Sequence, residues 1–377
     1  MPSDLYALTT DQSDAWKEVL DRIGVYDFHH LPSYHRLAEM RGEGEARLLV
    51  FREGEHLAAL PILVRPVTLP HHQSRITHHS SRITDATSAH GYLGPLASPN
   101  MPEDTRQRFL EELDAYFRSH AMVTAFTRLH PLIDQSPILR GYGEIMDIGW
   151  TVSIDLTLPP EEQVARYRKS NRYEIQRLEK MGFTCAEAGI ERLDDFLRIY
   201  IETMRNLNAN PYYFYDRSYF EYLLGDMSEI MHLFICHDGD TPACVGLFSN
   251  CNGIIQYHLA GTGSGYRRLA PMKLMLDRVR KWGISKGATT FHLGGGVGAQ
   301  RDSLFEFKKS FGSREHGFHG WKHVVDQQLY DALSAEACRY AQPDDSYFPM
   351  YRHPALKEVG LGKTNELSAP DRLPNAA

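Results

Sequence analysis

Lys308 is one residue of this sequence whose surroundings are compatible with chemistry. It follows the glycine run 294–296 by a dozen residues. A fixed cation beside such backbone can stabilise the oxyanion that forms when an amine attacks an ester or thioester. One good donor of this kind lowers a barrier by about 3–4 kcal/mol. The alternative is a structural lysine whose helix buries Phe305, Phe307 and Phe311 while its amine reaches solvent.

A basic segment supplies a second set of candidate residues, which are Arg166, Arg168, Lys169, Arg172, Arg177 and Lys180. The pattern predicts one helix through Lys180, on which Arg168 and Arg172 share a face. These side chains can hold the phosphates of a tRNA acceptor end or of a nucleotide-linked substrate. A solvated helix face, with Glu174 and Glu179 forming ion pairs, explains the same charges. Both interpretations stay open.

Amide-bond chemistry also needs a group that accepts a proton. Asp85 and His90 flank a polar loop in the first half of the chain, and Tyr257 and His258 lie on a predicted strand. Asp302 precedes the helix of Lys308 and is equally suited to capping it. Each of these residues is also compatible with a structural role, because geometry rather than residue type decides a general base.

Three loops carry further candidate residues. The aromatic segment 208–215 contains Tyr213 and Tyr215, whose rings can stack on an adenine, line an aminoacyl pocket or simply pack. The glycines of segment 261–265 can bring backbone N–H groups close to a phosphate. The histidines of the third loop have a spacing that fits no standard ligand set, so no metal site is predicted; they are His71, His72, His78 and His79.

Composition excludes several classes of protein. The chain has 377 residues, 42% of them hydrophobic, which suffices for two globular domains. Its net charge of −7 argues against general binding to DNA, although a local basic groove can hold an RNA end. Five cysteines without a Cys-x-x-Cys pair argue against a zinc site and fit a reducing cytoplasm. Neither a signal peptide nor a membrane span is predicted.

Hydrophobic periodicity predicts helices and strands in two blocks. The expected helices cover 11–23, 104–120, 159–180, 194–206 and 271–286. The expected strands cover 46–51, 56–64, 122–129, 152–156, 232–237, 243–250, 253–260 and 289–293. This order predicts α+β or mixed α/β architecture. We expect an N-terminal domain over 1–150, a C-terminal domain over 151–345 and a tail over 346–377.

Several of these segments resemble the Fem-type aminoacyl transferases, which carry two GNAT-like domains. The most specific is the closing run, Phe291-His292-Leu293-Gly294-Gly295-Gly296 followed by Ser303-Leu304-Phe305-Glu306-Phe307-Lys308-Lys309-Ser310-Phe311-Gly312. It is similar to the family's glycine strand end and its Phe-Lys-x-x-Phe motif. The segments 167–175, 257–275, 91–96 and 126–132 resemble weaker landmarks of the family. The resemblance covers roughly residues 10–325, without the long helical hairpin that some members insert.

The resemblance implies tandem GNAT-like domains, each with a mixed, mainly antiparallel sheet flanked by helices. The donor site then lies in the second domain, where central strands part near Gly261–Gly265 and Gly294–Gly296. The residues expected to serve catalysis are Lys308, His258, Tyr257 and Asp302. The residues expected to bind the donor are Gly261, Gly263, Gly265, Arg267, Arg268, Gly295, Arg168 and Arg172. The first domain shapes the acceptor site, and the residues expected to bind the acceptor are Asp85, His90, Tyr92, Tyr213 and Tyr215.

The function implied is transfer of an aminoacyl group from aminoacyl-tRNA to an amine on a peptidoglycan precursor, another peptide or a small metabolite. Aminoacyl-tRNA is then a co-substrate, and no tightly bound cofactor is expected. Two alternatives remain. One is an N-acyltransferase of the GNAT type that uses acyl-CoA, and the other is a non-catalytic binding module with the same fold.

Overall fold

The computed structural model describes residues 4–67, 83–312, 314–339 and 347–358. The four histidines 71, 72, 78 and 79 lie outside these ranges. The described chain divides into two compact units, the first made of residues up to Ile148 together with the chain from His319, and the second of Gly149–Phe318.

The first unit is a mixed sheet with helices. Its elements before residue 148 are β1 (Asp4–Leu8), α1 (Ser13–Ile23), α2 (Pro32–Met40), β2 (Glu45–Glu53), β3 (His56–Pro66), β4 (Thr84–Thr87), β5 (Leu96–Ala97), α3 (Glu103–Ser119), β6 (Met122–Arg128) and the start of β7 (Glu144–Asp155). The strand order is β1-β2-β3-β4-β6, and β5 pairs with β3. Only β4 and β6 run parallel among these pairs. Helix α3 buries Phe109, Leu113 and Phe117 against this sheet, as its helical spacing predicts.

The second unit repeats the pattern of one parallel pair within an antiparallel sheet. After β7 its elements are α4 (Pro160–Ala165), α5 (Lys169–Lys180), β8 (Thr184–Ala188), α6 (Leu193–Asn206), α7 (Arg217–Leu224), β9 (Met231–Asp238), β10 (Thr241–Cys251), β11 (Ile254–Thr262), α8 (Met272–Ser285), β12 (Thr290–Gly295) and α9 (Ser303–Lys309). The strand order is β7-β12-β11-β10-β9-β8, with β11 and β12 parallel. The expected mixed, mainly antiparallel sheets flanked by helices are confirmed.

The chain returns to the first unit through β13 (Arg314–Val324), which is followed by α10 (Gln327–Ala337) and α11 (Ala355–Glu358). From Gly320 onward β13 pairs antiparallel with β6. Trp321, Leu333 and Tyr351 are buried in the cores of this unit. The observed units therefore differ from the expected boundaries, because the described residues 319–339 and 347–358 belong to the first unit, to which β13 pairs.

The basic segment is not one helix, and that prediction is wrong. Helix α4 ends at Ala165 and α5 begins at Lys169, because Arg168 adopts an extended conformation with φ −52° and ψ 141°. Its backbone N–H donates to the carbonyl of Ser310 at 2.8 Å. Arg168 therefore lies outside the helix that carries Arg172.

Two further features follow from the described residues. None of their helices combines the length and the apolar composition needed to cross a bilayer. Nor do any three of their His, Cys, Asp or Glu side chains form a group suited to holding a metal ion.

Candidate active site

The central feature of the second unit is an opening between its two parallel strands. Strands β11 and β12 pair from Ile254 and Thr290 to Gln256 and His292. Beyond that point β11 continues to Thr262 and β12 to Gly295 without further pairing between them. Parted strand ends of this kind form a cleft in which backbone groups face a substrate. The sequence prediction puts the donor site at this opening.

Lys308 bridges the two sides of the opening. Helix α9 carries it, and the residue is only 6% exposed. Its Nζ donates to the carbonyl oxygen of Gly295, the last residue of β12, at 2.6 Å. The same Nζ lies 5.4 Å from the ring centre of Tyr257 on β11. The structure thus brings together three predicted residues, Lys308, Gly295 and Tyr257.

Burial sets the electrostatic state of Lys308. Removal from water lowers the pKa of its amine from 10.5 to about 8, and the charge of Asp302 partly opposes this shift. The amine is therefore mostly protonated at pH 7 but loses its charge in mildly alkaline solution. A fixed cation with a pKa near the working pH is suited to stabilising developing negative charge.

Asp302 organises the segment between β12 and α9. Its Oδ1 accepts from the N–H of Phe305 and its Oδ2 from the N–H of Val297, each at 2.9 Å. The carboxylate is thus the N-cap of α9, one of the two roles that its position before the helix predicts. Its geometry fixes the start of the helix that carries Lys308.

Tyr257 and His258 contact different groups although they are neighbours in sequence. The register between β10 and β11 shifts so that Phe248 is opposite Tyr257 and Leu247 is opposite Leu259, which leaves His258 as the extra residue of a bulge. The ring of Tyr257 stacks on Phe248, and burial raises the pKa of its hydroxyl.

His258 instead lies beside the aromatic residues of α7 and the preceding loop. Its Nε2 is 3.2 Å from the hydroxyl of Tyr219, which stacks on Tyr215 at 4.0 Å between ring centres. Tyr213 and Tyr215 are buried, and the Tyr213 carbonyl accepts from the hydroxyl of Tyr200. These two tyrosines pack in the second unit, as the alternative interpretation of the aromatic loop describes.

Part of the glycine segment 261–265 is used by packing and hydrogen bonds within the protein. Gly261 belongs to β11, and a Cβ on it would lie 3.0 Å from the Ile199 carbonyl of α6, so close packing explains this glycine. The N–H groups of Gly263, Tyr266 and Ala270 all donate to backbone carbonyls. Gly265, Arg267 and Arg268 are exposed on the short 3-10 helix that follows.

An exposed tryptophan–arginine pair near the opening has no motif in the sequence that marks it. Trp150 on β7 is 41% exposed, and the guanidinium of Arg301 lies 4.3 Å from its ring centre. Arg301 also pairs with Glu315 at 2.5 Å. The Trp150 carbonyl would lie 2.6 Å from a Cβ on Gly295, which locates this pair close to the end of β12. A lone Trp between Gly149 and Thr151 does not distinguish an exposed position from a buried one.

In the first unit, Asp85 is buried and therefore not accessible to an acceptor. It is fully buried, and its Oδ1 accepts from Arg65 at 2.9 Å. Its Oδ2 accepts from Tyr351 at 3.2 Å and from Arg352. Burial by itself raises the pKa of Asp85, but Arg352 and Arg65 lower it overall, so the carboxylate stays charged. This placement corrects the expectation that Asp85 binds the acceptor, because both carboxylate oxygens accept hydrogen bonds from side chains of the same unit.

His90 and Tyr92 lie beside a buried cluster of histidines. The ring of Tyr92 contacts His29 and His130 edge-on, and the His90 carbonyl accepts from the hydroxyl of Tyr34 at 2.7 Å. No sequence pattern reveals this cluster, because His130 joins it from about 100 residues beyond His29.

A buried carboxylate joins the cluster. The Oδ2 of Asp27 lies 3.1 Å from His29 Nδ1 and 3.2 Å from His130 Nε2. The N–H of Leu132 donates to His130 Nδ1, so His130 Nε2 carries the proton that it shares with Asp27. Burial raises the pKa of Asp27, but the hydrogen bonds from His130 and His29 outweigh it and keep the carboxylate charged.

A family model described as an acetyltransferase (GNAT) domain matches residues 165–309, the part of the chain that holds the opening and Lys308. This match identifies a GNAT-type domain within the chain. The chain is an acyltransferase. Among curated proteins, none matches this acyltransferase by sequence.

Solved structures show the same fold at low identity. FemX is 14% identical, with a TM-score of 0.65 over 87% of this chain and 99% of its own. The C-terminal domain of a protein described as a lysylphosphatidylglycerol synthetase, from Agrobacterium fabrum, is 12% identical with a TM-score of 0.54 over 86% and 95%. L-PGS from Bacillus licheniformis is 14% identical with a TM-score of 0.52 over 88% and 97%.

Proposed function

We propose that this acyltransferase moves an aminoacyl group from aminoacyl-tRNA to an amine and so forms an amide bond. The nitrogen of the acceptor attacks the ester carbonyl, the new C–N bond forms, and the bond from the carbonyl carbon to the ribose oxygen breaks. The amine loses one proton and the leaving ribose oxygen gains one. Because the ester is already activated, positioning and charge stabilisation supply most of the acceleration.

The position of Lys308 carries this proposal. Its ammonium lies at the end of β12 and over Tyr257, where the parallel strands part. A carbonyl bound in this opening would turn its oxygen towards the ammonium, which stabilises the oxyanion of the tetrahedral intermediate. Removal of one such donor typically costs about 100- to 1000-fold in rate.

The loop after β11 supports an RNA donor over CoA. A CoA pyrophosphate is commonly held by backbone N–H groups at a glycine loop and a helix start. Here the N–H groups of Gly263, Tyr266 and Ala270 are used within the protein. Arg267 and Arg268 are exposed instead, and side-chain cations of this kind suit an RNA backbone. The fold shared with FemX is compatible with this donor.

The acceptor is proposed to be an amine on a peptidoglycan precursor or a small metabolite. His90 and Tyr92 remain the acceptor residues of the first unit, because both are half-buried beside the Asp27 cluster. Tyr213 and Tyr215 are less suited to this role because they are packed among aromatic rings.

An acyl-CoA donor is the second candidate, and one observation favours it. The family model that matches residues 165–309 describes an acetyltransferase domain. In that case the same lysine would act on a thioester.

A donor comparison tests the proposal. The purified protein is incubated with labelled aminoacyl-tRNA or labelled acyl-CoA and with a pool of muramyl peptides and polyamines. Mild alkali then destroys esters, and the remaining label measures amide product. We expect label transfer from aminoacyl-tRNA that RNase abolishes. Transfer from acyl-CoA that survives RNase would establish the second candidate, and no transfer from either donor would contradict both.

A further inference from the structure

Helix α5 presents a basic face with one aromatic ring at its centre. Lys169, Tyr173, Gln176 and Lys180 follow one another at helical spacing and are all exposed. The opposite face buries Asn171, Ile175 and Leu178. Arg172 and Arg177 flank the exposed face. We call Lys169, Arg172, Tyr173, Gln176, Arg177 and Lys180 the α5 stripe.

The positive charges of the α5 stripe are not neutralised locally. In the parts of the chain that the structure describes, no carboxylate forms an ion pair with Lys169, Arg172, Arg177 or Lys180. The helix does contain two glutamates, but Glu174 pairs with Lys273 and Glu179 pairs with Arg278, both on α8. The stripe therefore keeps four positive charges on a chain whose net charge is −7.

The dimensions of the α5 stripe suit a nucleic-acid backbone. From Lys169 to Lys180 it extends about 16 Å at about 1.5 Å per residue. One strand of a B-form DNA duplex places a phosphate about every 3.4 Å along its axis, and about five phosphates match this length at that spacing. The ring of Tyr173 is 66% exposed, more than any other large hydrophobic side chain of the described chain. An exposed ring among cations is typical of surfaces that stack a base and hold its phosphates.

The N-terminal end of the α5 stripe lies beside the C-terminal end of α9, the helix that carries Lys308. The side chain of Asn171 donates to the Ser310 carbonyl at 3.1 Å and to the Ser310 hydroxyl at 2.6 Å. The N–H of Arg168 donates to the same carbonyl, and its guanidinium pairs with Glu306 at 2.8 Å. An RNA strand on the stripe would therefore lead its end towards α9.

We propose that the α5 stripe binds the acceptor stem of the donor RNA. This inference rests on the proposed function and adds the surface that holds the partner. A membrane surface suits the stripe less well, because interfacial helices insert an apolar face and α5 buries its apolar residues Ile175 and Leu178 in the core.

The test measures binding of a fluorescent hairpin of a tRNA acceptor stem with its single-stranded 3′ end. Lys169→Glu/Lys180→Glu is compared with Lys17→Glu/Lys286→Glu, which changes the net charge equally at two exposed lysines elsewhere. We expect the stripe variant to weaken binding at least tenfold and the control to bind like wild type. The slope of log Kd against log salt should fall by roughly 1.4–1.8 in the stripe variant only. Tyr173→Ala should weaken binding about tenfold.

Two further arms separate the possible failures. Wild-type turnover of an aminoacyl-adenosine, which lacks a stem, reports the proposed reaction independently of the hairpin. If this small donor reacts but both double variants bind the hairpin like wild type, the stripe proposal is overturned and the reaction stands. If the small donor gives no product, the proposed function fails whatever the hairpin does. Stripe-dependent binding to phosphatidylglycerol vesicles, with no binding to the hairpin, would replace RNA by a lipid surface and overturn the proposal.

Discussion

Asp85 in the first unit and Lys308 in the second are both buried charges that the sequence nominates for chemistry, and their surroundings differ in kind. Two arginines and a tyrosine satisfy both oxygens of Asp85, and the pKa of this carboxyl is held below its ordinary value. Lys308 contacts a backbone carbonyl and an aromatic ring, and burial lowers its pKa to about 8. A buried charge with full compensation makes the fold sensitive to the loss of either partner, whereas one displaced towards neutrality is suited to catalysis.

The largest effect is expected from Asp85→Ala. It leaves Arg65 and Arg352 buried or half-buried without their carboxylate. Loss of one partner from a buried ion pair costs about 3–5 kcal/mol, so the free energy of unfolding should fall by that amount in urea denaturation. Glu103→Ala, which removes an exposed carboxylate paired with Arg106, is the control and should cost less than about 1 kcal/mol. A stable Asp85→Ala protein that lost its activity would reverse the comparison.

Lys308→Met should show the opposite pattern. We expect kcat to fall about 100- to 1000-fold with little change in stability, because methionine keeps most of the side-chain volume but not the charge. Lys309→Met is the matched control, since Lys309 is adjacent, partly exposed and paired with Glu315. Turnover of Lys308→Met within threefold of wild type would remove the lysine from the mechanism.

Two glycine substitutions test whether the glycine segment 261–265 serves packing or binds the donor. Gly261→Ala forces a Cβ against Thr203 and the backbone of Ile199, and overpacking of this kind costs about 1–3 kcal/mol. Gly265→Ala meets open space and should leave stability unchanged. Thermal unfolding measures both. A raised KM for the donor in Gly265→Ala alone would restore the phosphate-loop interpretation.

The buried histidines of the first unit should make its stability depend on pH. Burial lowers the pKa of His35 to about 4 and, against smaller opposing contributions, that of His30 to about 3. The unfolded chain binds these protons near the ordinary pKa of 6.5, so stability is fully present above pH 6.5 and falls as the pH drops towards 4. Each histidine contributes about 1.4 kcal/mol per pH unit in that window. His35→Gln should remove one such contribution from urea denaturation between pH 6.5 and 4.5, and an unchanged slope would contradict it.

Local patterns predict much of the fold. The spacing of Phe109, Leu113 and Phe117 predicts α3, and alternating residues before turn signals predict β10 and β11. The glycine run and the Phe-Lys segment lead to Lys308, which the structure places where β11 and β12 part. The helix and the strands are confirmed because short-range periodicity determines them, whereas the role of Lys308 stays a prediction.

Contacts between distant residues are what the sequence does not reveal. Arg168 lies outside α5, and its backbone N–H donates to the carbonyl of Ser310. Tyr351, which lies 266 residues after Asp85 in the chain, donates a hydrogen bond to its carboxylate. The pairing of β13 with β6 and the meeting of Asp27 with His130 are of the same kind. None of these contacts has a periodic signature along the chain, so only the folded structure identifies them.

The charge of Lys308 is tested most directly by the pH dependence of the ratio between wild-type and Lys308→Met kcat/KM. The ratio cancels the titration of the acceptor amine, which both proteins share. If the protonated lysine stabilises the oxyanion, the ratio is large and constant below pH 7.5 and falls roughly tenfold per pH unit above about 8. A ratio that rises through pH 8 would make the lysine a base, and a flat ratio near one would contradict the account of this site.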